Sequence, residues 1–213
     1  MYQFLLFDLD GTLADPGIGI TNSVIYALHK FDIDVNDRSV LYKFIGPPLK
    51  DSFKRYYGFF DEQSNLAIQY YREYFKKQGM FENKVYDGVH DLLIELKAKG
   101  KSLIVATSKP EAFAIEILRH FDLYDYFDFV AGATMNDVRN KKADIIRYAL
   151  ENCHISDKSS AVMIGDREHD VLGAKENGLD SIGVLFGYGT YDELKNAGAA
   201  FIAETPMNIV KYV

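Results

Sequence analysis

The sequence predicts an α/β fold: a parallel sheet covered by helices, with an all-helical segment inserted after the first strand. Three observations carry this. Five short apolar runs are continuous rather than alternating, which suits strands covered by helices on both faces. Helical patterns separate the later runs, and strands alternating with helices imply right-handed crossovers in a parallel sheet. Between the first run and the second, residues 16–83 carry helical patterning alone.

The first strand is Phe4–Phe7, followed at once by Asp8-Leu9-Asp10-Gly11-Thr12. In the inserted segment Val24, Ile25, Leu28 and Phe31 mark one amphipathic stretch, and Leu66, Tyr70, Tyr74 and Phe75 another, an aromatic stripe read as a helix-packing core. The division is therefore a core of residues 1–15 and 84–213 with a helical subdomain of 16–83. Val89, Leu92, Leu93 and Leu96 then repeat at three and four, with Gly100 where a C-terminal cap belongs. Four further strands are Leu103–Thr107, Phe127–Ala131, Ala161–Ile164 and Ser181–Leu185. The helices between them carry Phe113, Ile117 and Leu118, then Ala143, Ile146, Ala149 and Leu150, then Val171, Leu172 and Ala174 before Asn177-Gly178.

With 213 residues, 48% of them hydrophobic, the chain can bury a substantial core and is not expected to be disordered. A formal net charge of -7 argues against a nucleic-acid or anionic-membrane surface, and leaves open a small anionic substrate held by local cations. Cys153 is the single cysteine, which excludes an intramolecular disulfide and fits a reducing compartment. No apolar run approaches the roughly 18 residues of a membrane-spanning helix. Asp8 and Asp10 interrupt the apolar N-terminus and no small-residue cleavage site follows, so a cytoplasmic location is expected.

In open parallel sheets, ligands bind outside the carboxyl ends of the strands. Those ends carry Asp8 and Asp10, Thr107-Ser108, and Gly165-Asp166 with Asp170 four residues on. Carboxylates converging in one pocket repel and raise each other's pKa unless a cation neutralises them. An oxygen-only ligand set points to Mg²⁺, and one of the acids is also available as a nucleophile. Ser108-Lys109-Pro110-Glu111 has the form of a capping box, which would put Thr107 and Ser108 at a helix N-terminus that favours a phosphate. Lys141-Lys142 opens a later helix and can deliver a cation to the same pocket.

In this order FDLDGTL (7–13), the strand ending in Thr107-Ser108, the downstream lysine and GDREHD (165–170) resemble the four motifs of the haloacid dehalogenase superfamily. The resemblance implies a Rossmann-like core with a helical cap inserted after the first motif. IGPPLKDSF (45–53) and GDREHDVLGAKENG (165–178) are most similar to the phosphoglycolate phosphatases and bacterial 5'-nucleotidase-like phosphatases, and Asp10 favours the phosphatase branch over the dehalogenases. It further implies Asp8 as nucleophile and Asp10 as general acid and base, with Asp10 touching the metal through its carbonyl. Asp8, Asp166 and Asp170 are then the carboxylates around Mg²⁺, while Thr107 and a lysine bind the phosphoryl group. RNKKADII lacks the proline that often follows that lysine, and Lys142, next to the helix start, is favoured over Lys141.

Gly11, Thr12, Ser108 and Lys109 are the expected substrate contacts beside the motifs. Gly46 and Lys50 are those of a cap loop, with Arg55 and Arg167 as further candidate cations. The implied partner is a small phosphorylated metabolite, phosphoglycolate or a nucleoside 5'-monophosphate first. Two alternatives share the motifs in whole or part: a β-phosphoglucomutase-like phosphomutase, and a non-enzymatic phospho-aspartate signalling domain. The sequence leaves monomer and homodimer open.

Overall fold

The computed structural model describes residues 1–135 and 138–213. Its first strand, β1 (Phe4–Phe7), pairs along both edges, with Leu6 opposite Ile104 on one side and Met163 on the other. Leu5, Leu6 and Phe7 are fully buried as a result. The chain then folds tightly on itself: the N–H groups of Thr12, Leu13 and Ala14 all approach the Leu9 carbonyl, and Gly11 N–H reaches Ala14 O at 2.8 Å. Gly11 has φ +81°, a left-handed conformation that costs glycine little. A short strand, β2 (Ala14–Asp15), follows.

Two compact units make up the chain: residues 1–15 with 85–213, and residues 16–84. The second unit is helical, with α1 (Gly17–His29), a 3-10 turn over Arg38–Phe44, α2 (Leu49–Tyr57) and α3 (Asp61–Lys77). Ile20, Val24, Ala27 and Leu28 of α1 are buried, and Phe53 packs on Phe44 and Phe59. The buried stripe of α3 is Ser64, Ala67, Tyr71 and Phe75, so the expected stripe is displaced by part of a turn. Leu66 is exposed and Tyr70 and Tyr74 are half-buried, because tyrosine hydroxyls favour the rim; Tyr74 donates to Glu82 Oε1 at 3.0 Å.

On the return, β3 (Lys84–Val85) pairs with β2. Then come α4 (Val89–Ala98), β4 (Ser102–Pro110), α5 (Glu111–His120), β5 (Phe129–Ala133), α6 (Lys142–Asn152), β6 (Ala161–Gly165), α7 (Glu168–Glu176), β7 (Asp180–Val184), α8 (Tyr191–Ala197) and β8 (Phe201–Ala203). The main sheet has the order β5-β4-β1-β6-β7-β8 and every pairing is parallel. Strand order reverses at β1, which makes its carboxyl end the crevice where such sheets hold ligands. Ile145, Ile146 and Ala149 of α6 pack on Leu6, Ile104 and Met163 of the sheet; each such large apolar side chain stabilises the fold by about 1.5–3 kcal/mol.

The structure corrects the sequence reading at several points. The return to the core falls at Val85, so Lys84 groups with the helical unit. β5 starts two residues later than expected, since Phe127 closes a 3-10 turn over Tyr124–Tyr126. Leu172 is exposed on α7. The capping box at Ser108 does not form: β4 runs on through Pro110, and α5 begins at Glu111 without a side-chain cap. Pro110 explains this, because the residue before a proline is pushed toward extended backbone. Glu111 Oε2 instead accepts from Gly132 N–H and Arg139. Among the described residues no helix is long and apolar enough to cross a membrane.

Candidate active site

The carboxyl end of β1 presents Asp8, whose Oδ1 accepts the N–H of Leu9 at 2.8 Å. Asp8 N–H donates to Ile164 O of β6, so the residue is fixed to the sheet before its side chain enters the site. The ammonium of Lys142 lies 2.8 Å from Asp8 Oδ1, 2.8 Å from Asp170 Oδ1 and 3.0 Å from Ala106 O. Lys142 is the first residue of α6 and is buried, whereas Lys141 is exposed at the N-cap. Burial alone would push the Lys142 ammonium down; Asp170 and Asp8 outweigh it and hold its pKa well above the usual value.

Asp166 and Asp170 come from the end of β6 and the first turn of α7, and both are 1% exposed. Oxygens of Asp8, Asp166 and Asp170 all lie within 4.8 Å of one another. Burial, then the charges of Asp170 and Asp8, push the Asp166 carboxyl well above the ordinary range. One of its oxygens, Oδ2, accepts Tyr188 N–H at 2.8 Å, while the buried Oδ1 has no hydrogen-bond partner among the described residues. Asp170 is pushed up by burial, Lys142 opposes this, and the net direction is upward. Its Oδ2 accepts Arg167 N–H at 3.1 Å.

Asp10 lies across the same loop, and Lys109 Nζ lies 2.8 Å from its Oδ2. Its buried Oδ1 has no partner among the described residues. Burial raises the Asp10 carboxyl, Lys109 pulls it back, and the result remains above the ordinary range. Thr107 is buried and its Oγ1 accepts Lys109 N–H at 3.2 Å. Thr12 is buried with an unpartnered hydroxyl among the described residues, and Gly11 lies against the Asp166 carboxylate.

With every group ionised, four carboxylates face two ammoniums, which leaves two negative charges, the charge of one divalent cation. The donor set fits such an ion: hard oxygens only, in a buried group, with Asp166 Oδ1 unpartnered. The Asp10 side chain is not in that group. Asp8, Asp10, Thr107, Lys109, Lys142, Asp166 and Asp170 therefore gather around one sheet edge. Ser108 is only half-buried on β4.

The remaining candidate cations are engaged elsewhere. Within the helical unit Gly46 has φ +100°, and Lys50 shares Asp61 Oδ1 with Lys54 at 2.8 and 2.9 Å. Arg55 lies over the Tyr56 ring. Arg167 pairs with Glu193 at 2.8 Å, a partner on α8 that the sequence reading missed. It also missed the Gly187-Tyr188-Gly189 turn after β7, where two glycines flanking one aromatic residue at a strand end were the available signal.

Fold and site together define a hydrolase class. A family model for haloacid dehalogenase-like hydrolases matches residues 5–184, and the chain belongs to that family. Among its relatives a 5'-nucleotidase of Pseudomonas aeruginosa is 45% identical, over 91% of this chain and 87% of that protein. The tyrosine-protein kinase PtkA of Mycobacterium tuberculosis is 36% identical, over 99% of this chain and 68% of its own. Among solved structures, a phosphatase from Clostridium acetobutylicum, itself assigned by prediction, shares 54% identity with a TM-score of 0.95, over 100% of this chain and 98% of that one.

Proposed function

We propose that this chain is a Mg²⁺-dependent phosphomonoester hydrolase that works through an aspartyl-phosphate on Asp8. The observation that carries the proposal is the buried set of Asp8, Asp166 and Asp170 with Lys142 seated on Asp8. Small phosphorylated metabolites are the substrate class. Nucleoside 5'-monophosphates are our first choice and phosphoglycolate the second, a ranking that the relative named 5'-nucleotidase supports.

Asp8 attacks phosphorus, and the bond to the leaving alkoxide breaks as a proton passes from Asp10 to that oxygen. Lys109 occupies Asp10 Oδ2, so the proton is held on Oδ1, and the upward shift of this carboxyl favours the protonated form that the first step needs. In the second step Asp10 takes a proton from water as the water oxygen attacks phosphorus. The phosphorus–Asp8 bond then breaks, releasing phosphate. Lys142 and the Thr107 hydroxyl receive the negative charge that collects on the phosphoryl oxygens. Asp8, Asp166 and Asp170, with the Asp10 carbonyl, would hold Mg²⁺, which when bound supplies charge neutralisation for the phosphoryl group.

Phosphate release with Mg²⁺ across nucleoside 5'-monophosphates, phosphoglycolate and sugar phosphates tests this, with Asp8→Asn alongside. The expected result is a preferred ester whose hydrolysis is lost in the variant and in excess EDTA. Turnover that survives Asp8→Asn would sink the mechanism.

A further inference from the structure

The turn after β7 sits against Asp166 more closely than any side chain would allow. A Cβ on Gly187 would lie 2.2 Å from Gly11 O and 2.5 Å from Asp166 Cβ; one on Gly189 would lie 1.8 Å from Asp166 O. Contacts that short are impossible for alanine without backbone movement, so both glycines are required by the approach itself. Between them, Tyr188 N–H donates to Asp166 Oδ2 at 2.8 Å. The Tyr188 hydroxyl donates to Asp15 Oδ1, which ties the turn back to β2. Burial and Asp15 keep that hydroxyl protonated far above its ordinary range, so it remains a donor.

We infer that Gly187-Tyr188-Gly189 is the positioning element for Asp166, fixing Oδ2 so that Oδ1 is left for the divalent cation, and so setting metal affinity. This rests on the metal reading above. Fixing a carboxylate by one oxygen removes a rotation that the ion would otherwise have to freeze. It also keeps the Asp166 carboxylate from rotating away from Asp8 and Asp170, whose charges repel it. Tyr188 is thus a positioning residue that acts through Asp166, and the Asp15 contact holds the Tyr188 backbone in place from the far side.

The test is calorimetric titration of Mg²⁺ alone into the metal-stripped full chain, for the wild type, Gly187→Ala and Tyr188→Phe. The dissociation constant should rise about 10-fold to 100-fold in Gly187→Ala, the range for residues that orient metal ligands. A smaller rise is expected in Tyr188→Phe, which keeps the N–H and loses only the Asp15 tether. Turnover of both should return toward wild type in excess Mg²⁺, a rescue that a merely structural role would not give. If Gly187→Ala does not fold, Tyr188→Phe alone decides. Folded variants that bind Mg²⁺ as tightly as wild type overturn the inference and leave the metal reading standing. A wild type that binds no Mg²⁺ overturns the metal reading, and this inference with it.

Discussion

Lys109 Nζ lies 2.8 Å from Asp10 Oδ2, and the two form an ion pair largely withdrawn from water. The lysine is therefore not simply a substrate contact, as its place beside Thr107 suggested. It holds the proposed acid and base in one orientation and pulls its pKa down against burial.

Removing that cation gives the first prediction. In Lys109→Met the Asp10 carboxyl should move further upward, because the ammonium that opposes burial is gone. The second step needs Asp10 ionised, so the acid limb of the kcat–pH profile should shift to higher pH. At neutral pH kcat should fall by about 10²-fold or more, the low end of what a general acid–base contributes. The measurement is kcat against pH with a preferred ester; an unmoved acid limb would exclude Lys109 from this role.

Lys142 has the same chemistry with a larger stake. It bridges Asp8 and Asp170 while buried, so Lys142→Met leaves two carboxylates without their counter-charge. Removing one partner of a buried ion pair costs about 3–5 kcal/mol. Urea unfolding in EDTA should show a loss of that order, and turnover should be abolished at any Mg²⁺ concentration. Wild-type stability in the variant would mean that the bridge contributes nothing to the fold.

Asp166 should behave in the opposite sense. It is buried, repelled by Asp170 and Asp8, and has one unpartnered oxygen, so its charge works against the metal-free fold. Asp166→Asn should raise the metal-free melting temperature by about 2–4 °C, the shift that 1 kcal/mol gives in a chain of this size. It should also abolish the further rise that Mg²⁺ gives the wild type. Differential scanning calorimetry with and without Mg²⁺ reads both; a less stable metal-free variant contradicts the electrostatic account.

Most of the candidate site was legible as a cluster because a parallel sheet delivers successive strand ends to one edge, whatever the loops do. Asp8, Asp10, Thr107 and Asp166 each follow an apolar run, and Lys142 and Asp170 fall in the first turns of helices. Ser108 misled because its capping pattern was local, while Pro110, equally visible, forbade the early helix start. Glu193 was not legible for another reason. It meets Arg167 across 26 residues, which leaves no spacing to read, and Tyr188 was signalled only by its flanking glycines, since its contact with Asp166 is a backbone N–H. The short β8 and α8 were missed likewise, since three residues of strand carry no periodicity.

Asp128 offers a prediction about pH away from the site. Burial pushes its carboxyl up, but the Ser102 hydroxyl, the Lys97 ammonium and Leu103 N–H together outweigh this and hold it below the usual range. A lowered folded-state pKa contributes stability that is fully present above the unfolded value, about 3.9, and is lost as pH falls through the folded one. Asp128→Asn keeps the shape and loses the charge, so it should be less stable than wild type at pH 7. The side chain is 46% exposed, and screening limits the difference to about 1 kcal/mol or less. Urea unfolding at pH 7 and at pH 3 checks it: the gap between the two proteins should narrow on acidification, and a gap that widens reverses the assigned sign.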